Sequence, residues 1–357
     1  MTVKAFLQKK NIVFSLKRYG IDAMSAMAQG LFCTLLVGTI LNTLGNEFGI
    51  GILTREVVAI AGKGFTIGSI ASAMVGPAMA VAIGYALQAP GMVMFTLAPV
   101  GYATNALGGA GGPLAVLIVA IIAAEAGKAI SKETKIDILV TPLVTLLVGV
   151  GIAYLVAGPI GAAASWIGNA IMWATELKPF LMGMIVAVIV GIALTLPISS
   201  AAICAALGLT GLAGGAAVAG CCAQMVGFAV LSFRENRWGG VVSQGIGTSM
   251  LQMGNIIKNP KIWIPVILTS MITGPIATCV FHLEMNGAAI NSGMGTCGLC
   301  GPIGVWTGWS ATGHVATAMD WTGLALVCIV LPALLCWLFG LFFRKISWIK
   351  DGDLKLD

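Results

Sequence analysis

The side chains that could do chemistry in this sequence are mostly uncharged, and they cluster. Between Leu194 and Pro260 stand Ser199, Ser200, Gln224, Ser243, Gln244, Thr248, Ser249, Gln252 and Asn255, within a stretch otherwise apolar enough for lipid. The same stretch carries two helix-disrupting signals, Pro197 and the Gly214-Gly215 pair. An unpaired polar group in hydrocarbon costs several kcal/mol, so broken backbone at membrane depth is tolerated only against protein or a water-filled cavity. Amides and hydroxyls facing such a cavity supply directional hydrogen bonds, which suits a polyhydroxylated neutral solute. A second candidate group surrounds NGAAINSGMGTCGLCGP, a glycine-rich turn holding Asn286, Asn291, Ser292 and Thr296. Glu284 precedes this turn and His314 follows it. Ionisable residues at membrane depth are functional hypotheses by default, so Glu284 is read as an acceptor for a solute hydroxyl or for a coupling proton. Of the other ionisable residues in apolar surroundings, Glu125 reads as a helix-end partner of Lys128, and Glu176, beside Lys178-Pro179, as an interface residue.

Several chemistries are excluded. Gly293 to Gly298 matches GxGxxG, but Trp306 and Trp309 follow closely and no βαβ unit surrounds it, so it is not a dinucleotide site. Gly127-Lys128 is not a phosphate loop, because Ile122 stands where glycine is needed and Ala129 where Ser or Thr is needed. Cys297 and Cys300 form a lone CxxC with no second pair, so no structural metal is expected. The other seven of the nine cysteines lie in apolar runs and read as small hydrophobes. No protease or transferase signature is present, and neither a cofactor nor nucleic-acid binding is expected.

What must position these residues is a bundle of membrane helices. With 58% hydrophobic and only 9% charged residues, against roughly 25% charged in a globular chain, this is an integral membrane protein. Its 48 glycines allow helix backbones to approach closely in lipid. The expected fold is an all-α polytopic membrane protein with about 8–10 transmembrane helices plus re-entrant hairpins. Residues 1–20, with Lys4, Lys9, Lys10, Lys17 and Arg18, read as an amphipathic cytoplasmic helix. Spans are expected over 23–44, 65–87, 91–107, 114–129, 138–156, 180–197, 262–281 and 315–343. Residues 46–64, including Glu47, Arg55, Glu56 and Lys63, are too broken to span. Trp166 and Trp173 lie on one face of an amphipathic helix along the outer interface. The net charge of +6 is concentrated in the chain ends and short loops. Under the positive-inside rule this places both termini in the cytoplasm. A weak internal echo pairs NALGGAGGPLAV with GLTGLAGGAAVAG, each a GG break before an apolar run.

The strings LTLPISSAAI, GLAGGAAVAGCCAQMVGFAVLSFREN, QGIGTSMLQMGNIIKNP and GMGTCGLCGP resemble the membrane (IIC) components of the bacterial sugar phosphotransferase system, in a branch that includes perfringolysin O regulator-like proteins. The resemblance covers most of the chain and is strongest over 195–302. It implies a homodimer in the bacterial plasma membrane, with an N-terminal scaffold half (1–158), an amphipathic linker (159–178), a transport half with re-entrant segments (179–343) and a cytoplasmic tail (344–357). It also implies elevator-like transport of a sugar, with phosphorylation carried out by separate IIA and IIB proteins. The Gly-Ile-Thr-Glu-Pro string of glucose-type relatives is absent, and Glu284-Met-Asn-Gly is at best its loose counterpart. The expected solute site therefore joins Ser199, Ser200 and Gln224, then Gln244, Ser249, Gln252 and Asn255, then Glu284, Asn291, Thr296 and His314. The alternatives are a membrane-embedded sugar sensor without net transport, and a secondary transporter independent of phosphorylation.

Overall fold

The computed structural model describes residues 3–356 apart from Ala61; the side chains of Lys4 and Glu47, named above, also lie outside the described residues. Regular structure is almost entirely helical. The strands among the described residues form one antiparallel hairpin, β1 (Val58–Ile60) with β2 (Lys63–Phe65), in the stretch too broken to span. Among the described residues, six helical stretches are long and apolar enough to cross a bilayer, or seven if the bent pair α3 (Ile67–Ala73) and α4 (Val75–Ala86) counts as one span. One of the six, Gly91–Ile130, is itself two helices, α5 (Gly91–Gly108) and α6 (Gly112–Ile130). A turn at Gly109, where φ is +50°, reverses the chain between them. Gly112 then packs on Asn105 and Gly127 on Val93, so the pair is antiparallel.

By its contacts the chain parts into two units, 1–38 with 55–163, and 39–54 with 164–357. In the first unit, α1 (Val3–Lys9) stops short of the expected helix over 1–20. Asn11 takes a left-handed conformation, φ 54°, and its side chain is held by Arg18 (3.1 Å) and Gln88 (2.7 Å), so the chain turns there. Helix α2 (Lys17–Asn46) follows, and its first part packs on α4 through Gly30 against the Ala78 backbone. Gly76 and Gly101 bring α4 and α5 into backbone contact, the close approach that small residues permit in lipid. Lys128 is buried beside Glu125 at 2.9 Å and donates to the carbonyls of Asn11 (2.7 Å) and Leu87 (3.1 Å). The pair read as a helix end therefore ties the N-terminal segment to α6.

Helix α7 (Asp137–Thr175) runs for 39 residues, about 58 Å at 1.5 Å per residue, and includes most of the stretch read as a linker. That is roughly twice the hydrocarbon thickness, so it cannot lie wholly in the core as an upright span. Trp166 and Trp173, 71% and 58% exposed, sit in its final third, where interfacial tryptophans belong.

The second unit is built on α8 (Pro179–Thr195), α9 (Ser200–Leu207), α10 (Gly211–Leu231), α11 (Pro260–Val280), α12 (Cys300–Thr312) and α13 (Ala318–Lys345). Pro197 separates α8 from α9, as its chemistry requires. The Gly214-Gly215 pair breaks nothing; it lies inside the continuous α10. A side chain at Gly215 would collide with the Leu283 carbonyl, so glycine serves close packing there rather than a turn. Helices α8 and α10 run parallel: Ala187 meets Gly220, and Thr195 meets Gln224. Helix α11 is antiparallel to both, with Gly274 on Gly183 and Ser270 on Gln224.

Candidate functional site

Three broken segments converge on α10. The first is the pair α8 and α9, which meets near Pro197 and returns through Leu209 to the start of α10. The second is 282–312. It leaves α11 beside the start of α10, where Met285 and Gly211 exchange backbone hydrogen bonds of 2.9 and 3.0 Å. It then descends until Gly295 packs on Cys221 and Cys222, at the midpoint of α10. Helix α12 carries the chain back, and the Gly287 amide donates to the Gly304 carbonyl at 3.1 Å. The third segment, 241–258, approaches from the other end of α10 as a π turn, a 3-10 turn with Ser249 at its tip, and a short α-helix over Met253–Lys258.

The expected site residues fall into four places. Gln224 and Ser249 join a sealed knot that includes Thr195, Ser270 and Trp263. Thr195 bonds Ser249 at 2.8 Å and donates to Gln224 Oε1 at 3.2 Å. Trp263 Nε1 donates to the same Oε1 at 2.8 Å, and Gln224 Nε2 donates to Ser270 at 3.3 Å. Gln224, Ser249, Thr195 and Ser270 are all fully buried, so the knot satisfies itself. Gln244, Gln252 and Asn255 form a second chain. Gln252 donates to Gln244 (2.8 Å) and to the Leu354 carbonyl (2.9 Å), and Asn255 to Gln252 (2.8 Å) and to the Lys355 carbonyl (2.8 Å). These amides hold the segment after α13, whose Ile349 and Leu354 are buried. Sequence spacing shows that amides cluster but not which backbone carbonyls will reach them.

Ser199 caps α9, accepting from the Ala202 amide at 3.1 Å, and Ser200 donates to the Gly293 carbonyl at 2.8 Å, joining the first two broken segments. Asn291 and Thr296 are buried in the descending segment. Asn291 Oδ1 and Thr296 Oγ1 are buried and have no hydrogen-bond partner among the described residues.

Glu284 and His314 share the fourth place, a cavity of about 450 Å³ where 282–312 enters and leaves. Asn286, Trp309, Thr312 and Asp320 also line it. Asn286 donates to Glu284 Oε2 at 2.9 Å. Asp320 Oδ2 accepts from the Thr317 amide (2.8 Å) and hydroxyl (2.7 Å) and lies 3.0 Å from His314 Nε2, which fixes the imidazole at the rim. Trp309 stacks edge-on to Trp321 with centroids 5.0 Å apart, giving one wall an aromatic surface. Carboxylates, an amide, a hydroxyl, an imidazole and a flat apolar wall are what a sugar's hydroxyls and C–H faces can use. Thr195, Ser270 and Trp263 in the knot, and Trp309 and Thr312 in the cavity, are not singled out by the sequence; all but Ser270, which lies in the middle of α11, stand near helix ends, and only that polar and aromatic character points to them.

Cys297 and Cys300 sit at the foot of the descending segment, where Gly298 and Leu299 both take left-handed φ; Cys300 contacts Thr43 at 3.6 Å. Among the described residues no three His, Cys, Asp or Glu side chains come together as metal ligands.

A family model described as Phosphotransferase system, EIIC matches residues 21–356. No curated protein and no solved structure matches the chain.

Proposed function

Since the chain belongs to the EIIC family of the phosphotransferase system, a multi-pass membrane component for sugar transport that works with IIA and IIB partners, we propose that its sugar is bound first in the cavity beside Glu284. The observation that carries this reading is the 282–312 segment, which enters and returns at one end of the second unit and frames that cavity. At about 450 Å³, the cavity falls within the size usual for small-molecule sites. Glu284 would accept a pair of sugar hydroxyls, Asn286 and Thr312 would supply further hydrogen bonds, and Trp309 would take an apolar ring face. Asn291 and Thr296, deeper along the same segment, offer the next acceptors. In this reading residues 1–158 are the scaffold and 179–343 the part that carries the sugar across, by elevator-like movement within a homodimer. The lysine- and arginine-rich ends face the cytoplasm, where IIB would phosphorylate the arriving sugar.

The test is uptake of a radiolabelled sugar panel into proteoliposomes, with and without IIA and IIB and with and without a pH gradient. Glu284→Gln keeps the shape of the carboxylate and removes its charge. The lost charge-assisted hydrogen bond, worth roughly 1.5–3 kcal/mol, weakens sugar binding about 10- to 150-fold. Unchanged affinity in Glu284→Gln overturns the site. Gradient-driven uptake without partners makes the protein a secondary transporter on this fold, and specific binding without uptake makes it a sensor.

A further inference from the structure

Helix α13 carries an apolar stripe that nothing in the second unit covers. Val330, Leu334, Trp337 and Leu341 are 47, 49, 53 and 42% exposed. Their spacing of four, three and four residues puts them on one helical face. From 330 to 341 the stripe extends about 16 Å, roughly half the hydrocarbon thickness and so the depth of one leaflet. The stripe ends in a cavity of about 160 Å³, between the last turn of α10 and the last turns of α13. Leu231, Phe233 and Leu341 give it apolar walls, and Arg234, Arg344 and Trp337 line it with donors.

The two arginines are not equivalent. Arg344 is committed: it donates to Glu235 (2.8 Å), to Asp351 (2.8 Å) and to the Leu231 carbonyl (3.2 Å). Its role is to build the wall. Arg234 is exposed and has no ion-pair or hydrogen-bond partner among the described residues, and neither has the Trp337 indole N–H. Residues 233–237 and 344–351 together hold Arg234, Arg237, Arg344, Lys345 and Lys350 against Glu235 and Asp351, so cations prevail around the cavity. An unpaired guanidinium and an indole donor at the end of a leaflet-length apolar track match a ligand with an anionic head and a hydrocarbon tail.

We infer that this cavity binds the phosphate headgroup of an anionic phospholipid in the leaflet at the basic end. Arg234 and the Trp337 N–H donate to the phosphate, and one acyl chain follows Trp337, Leu334 and Val330. This site is separate from the sugar cavity and does not depend on what is transported.

The test is native mass spectrometry of the detergent-purified full chain, titrated with phosphatidylglycerol or with phosphatidylcholine of the same acyl chains. The wild type binds phosphatidylglycerol more tightly. Arg234→Gln reduces that preference about fivefold, the worth of one basic side chain at an anionic surface. Because Arg234 is exposed and unpartnered, the variant folds, which size-exclusion chromatography verifies. Lys258→Gln removes another exposed cation from the same end, outside the cavity, and leaves the preference intact. Equal binding of both lipids by the wild type overturns the inference, as does an unchanged preference in Arg234→Gln. An equal loss in Lys258→Gln shows diffuse attraction instead of a site and also overturns it. Inorganic phosphate that displaces the lipid at comparable concentration shows a free-anion site, with the same consequence.

Discussion

Replacing Gln224 with Met tests whether the buried knot binds three helices together or merely lines a path. Methionine has nearly the volume of glutamine and adapts to irregular packing, so no cavity term is expected. What changes is the accounting of hydrogen bonds. Thr195 keeps Ser249 at 2.8 Å, and Ser270 keeps the carbonyls of Val266 (3.0 Å) and Gly220 (3.3 Å). Trp263 alone loses its acceptor, because its Nε1 is bonded to Gln224 Oε1. A fully buried donor left unpaired costs about 1–3 kcal/mol; Trp263 is half-buried, which puts its N–H toward the lower end, and hydrogen bonds between membrane helices average about 0.6 kcal/mol with a maximum near 1.7. The expected loss is therefore about 1–2 kcal/mol, read as equilibrium unfolding in mixed detergent micelles. Trp263→Phe removes the orphaned donor. The double variant should then be no less stable than Gln224→Met alone, with a coupling of about 1 kcal/mol. Undiminished stability in Gln224→Met, or strict additivity of the two substitutions, would refute the knot and leave Gln224 as a free amide facing a solute path.

Two further outcomes are expected. The Glu133 carboxyl, on the surface turn before α7, is held below its ordinary value by hydrogen bonding to Lys10 (2.6 Å) and then to Lys9 (3.1 Å). This contribution to docking α1 is complete above the unfolded glutamate value of about 4.3 and fades only as pH falls through the lower folded value. A spin label at Gln8, with Cys33 and Cys279 replaced by Ser, should be immobile from pH 8 to 5, loosen as the pH falls through the lowered folded value, and be loose throughout in Glu133→Gln; mobility independent of both pH and that substitution would contradict the pairing. Gly295→Ala combines a left-handed φ of +53° with a Cβ only 2.7 Å from the Cys221 backbone, whereas Gly49→Ala, at φ +63°, meets nothing within 4 Å. Both carry about 1–2 kcal/mol of conformational strain, so the excess loss of thermal stability in Gly295→Ala measures the seating of the descending segment, and equal losses would show that the seat is not packed.

Much of this protein could be read along the chain. Composition alone required a membrane bundle, because hydrocarbon admits only internally satisfied backbone. Pro197 and the proline-led starts at Pro179 and Pro260 marked helix limits, since a missing N–H and a fixed φ act locally. The long motif strings identified the family. Other features depended on neighbours distant in sequence. Two similar GG strings diverged: at Gly109 the chain turns with a positive φ, while at Gly215 the helix continues so that the Leu283 carbonyl can approach. Gln252 and Asn255 look like solute ligands until the carbonyls of Leu354 and Lys355, about a hundred residues on, are seen to occupy them. Glu284 and His314, by contrast, are brought to a common cavity only because 282–312 doubles back. Hydropathy, proline and glycine chemistry act within a few residues, and the sequence by itself determined what depended on them. Which polar group meets which is set by long-range packing, and only the tertiary structure decided which amides remain open to a ligand.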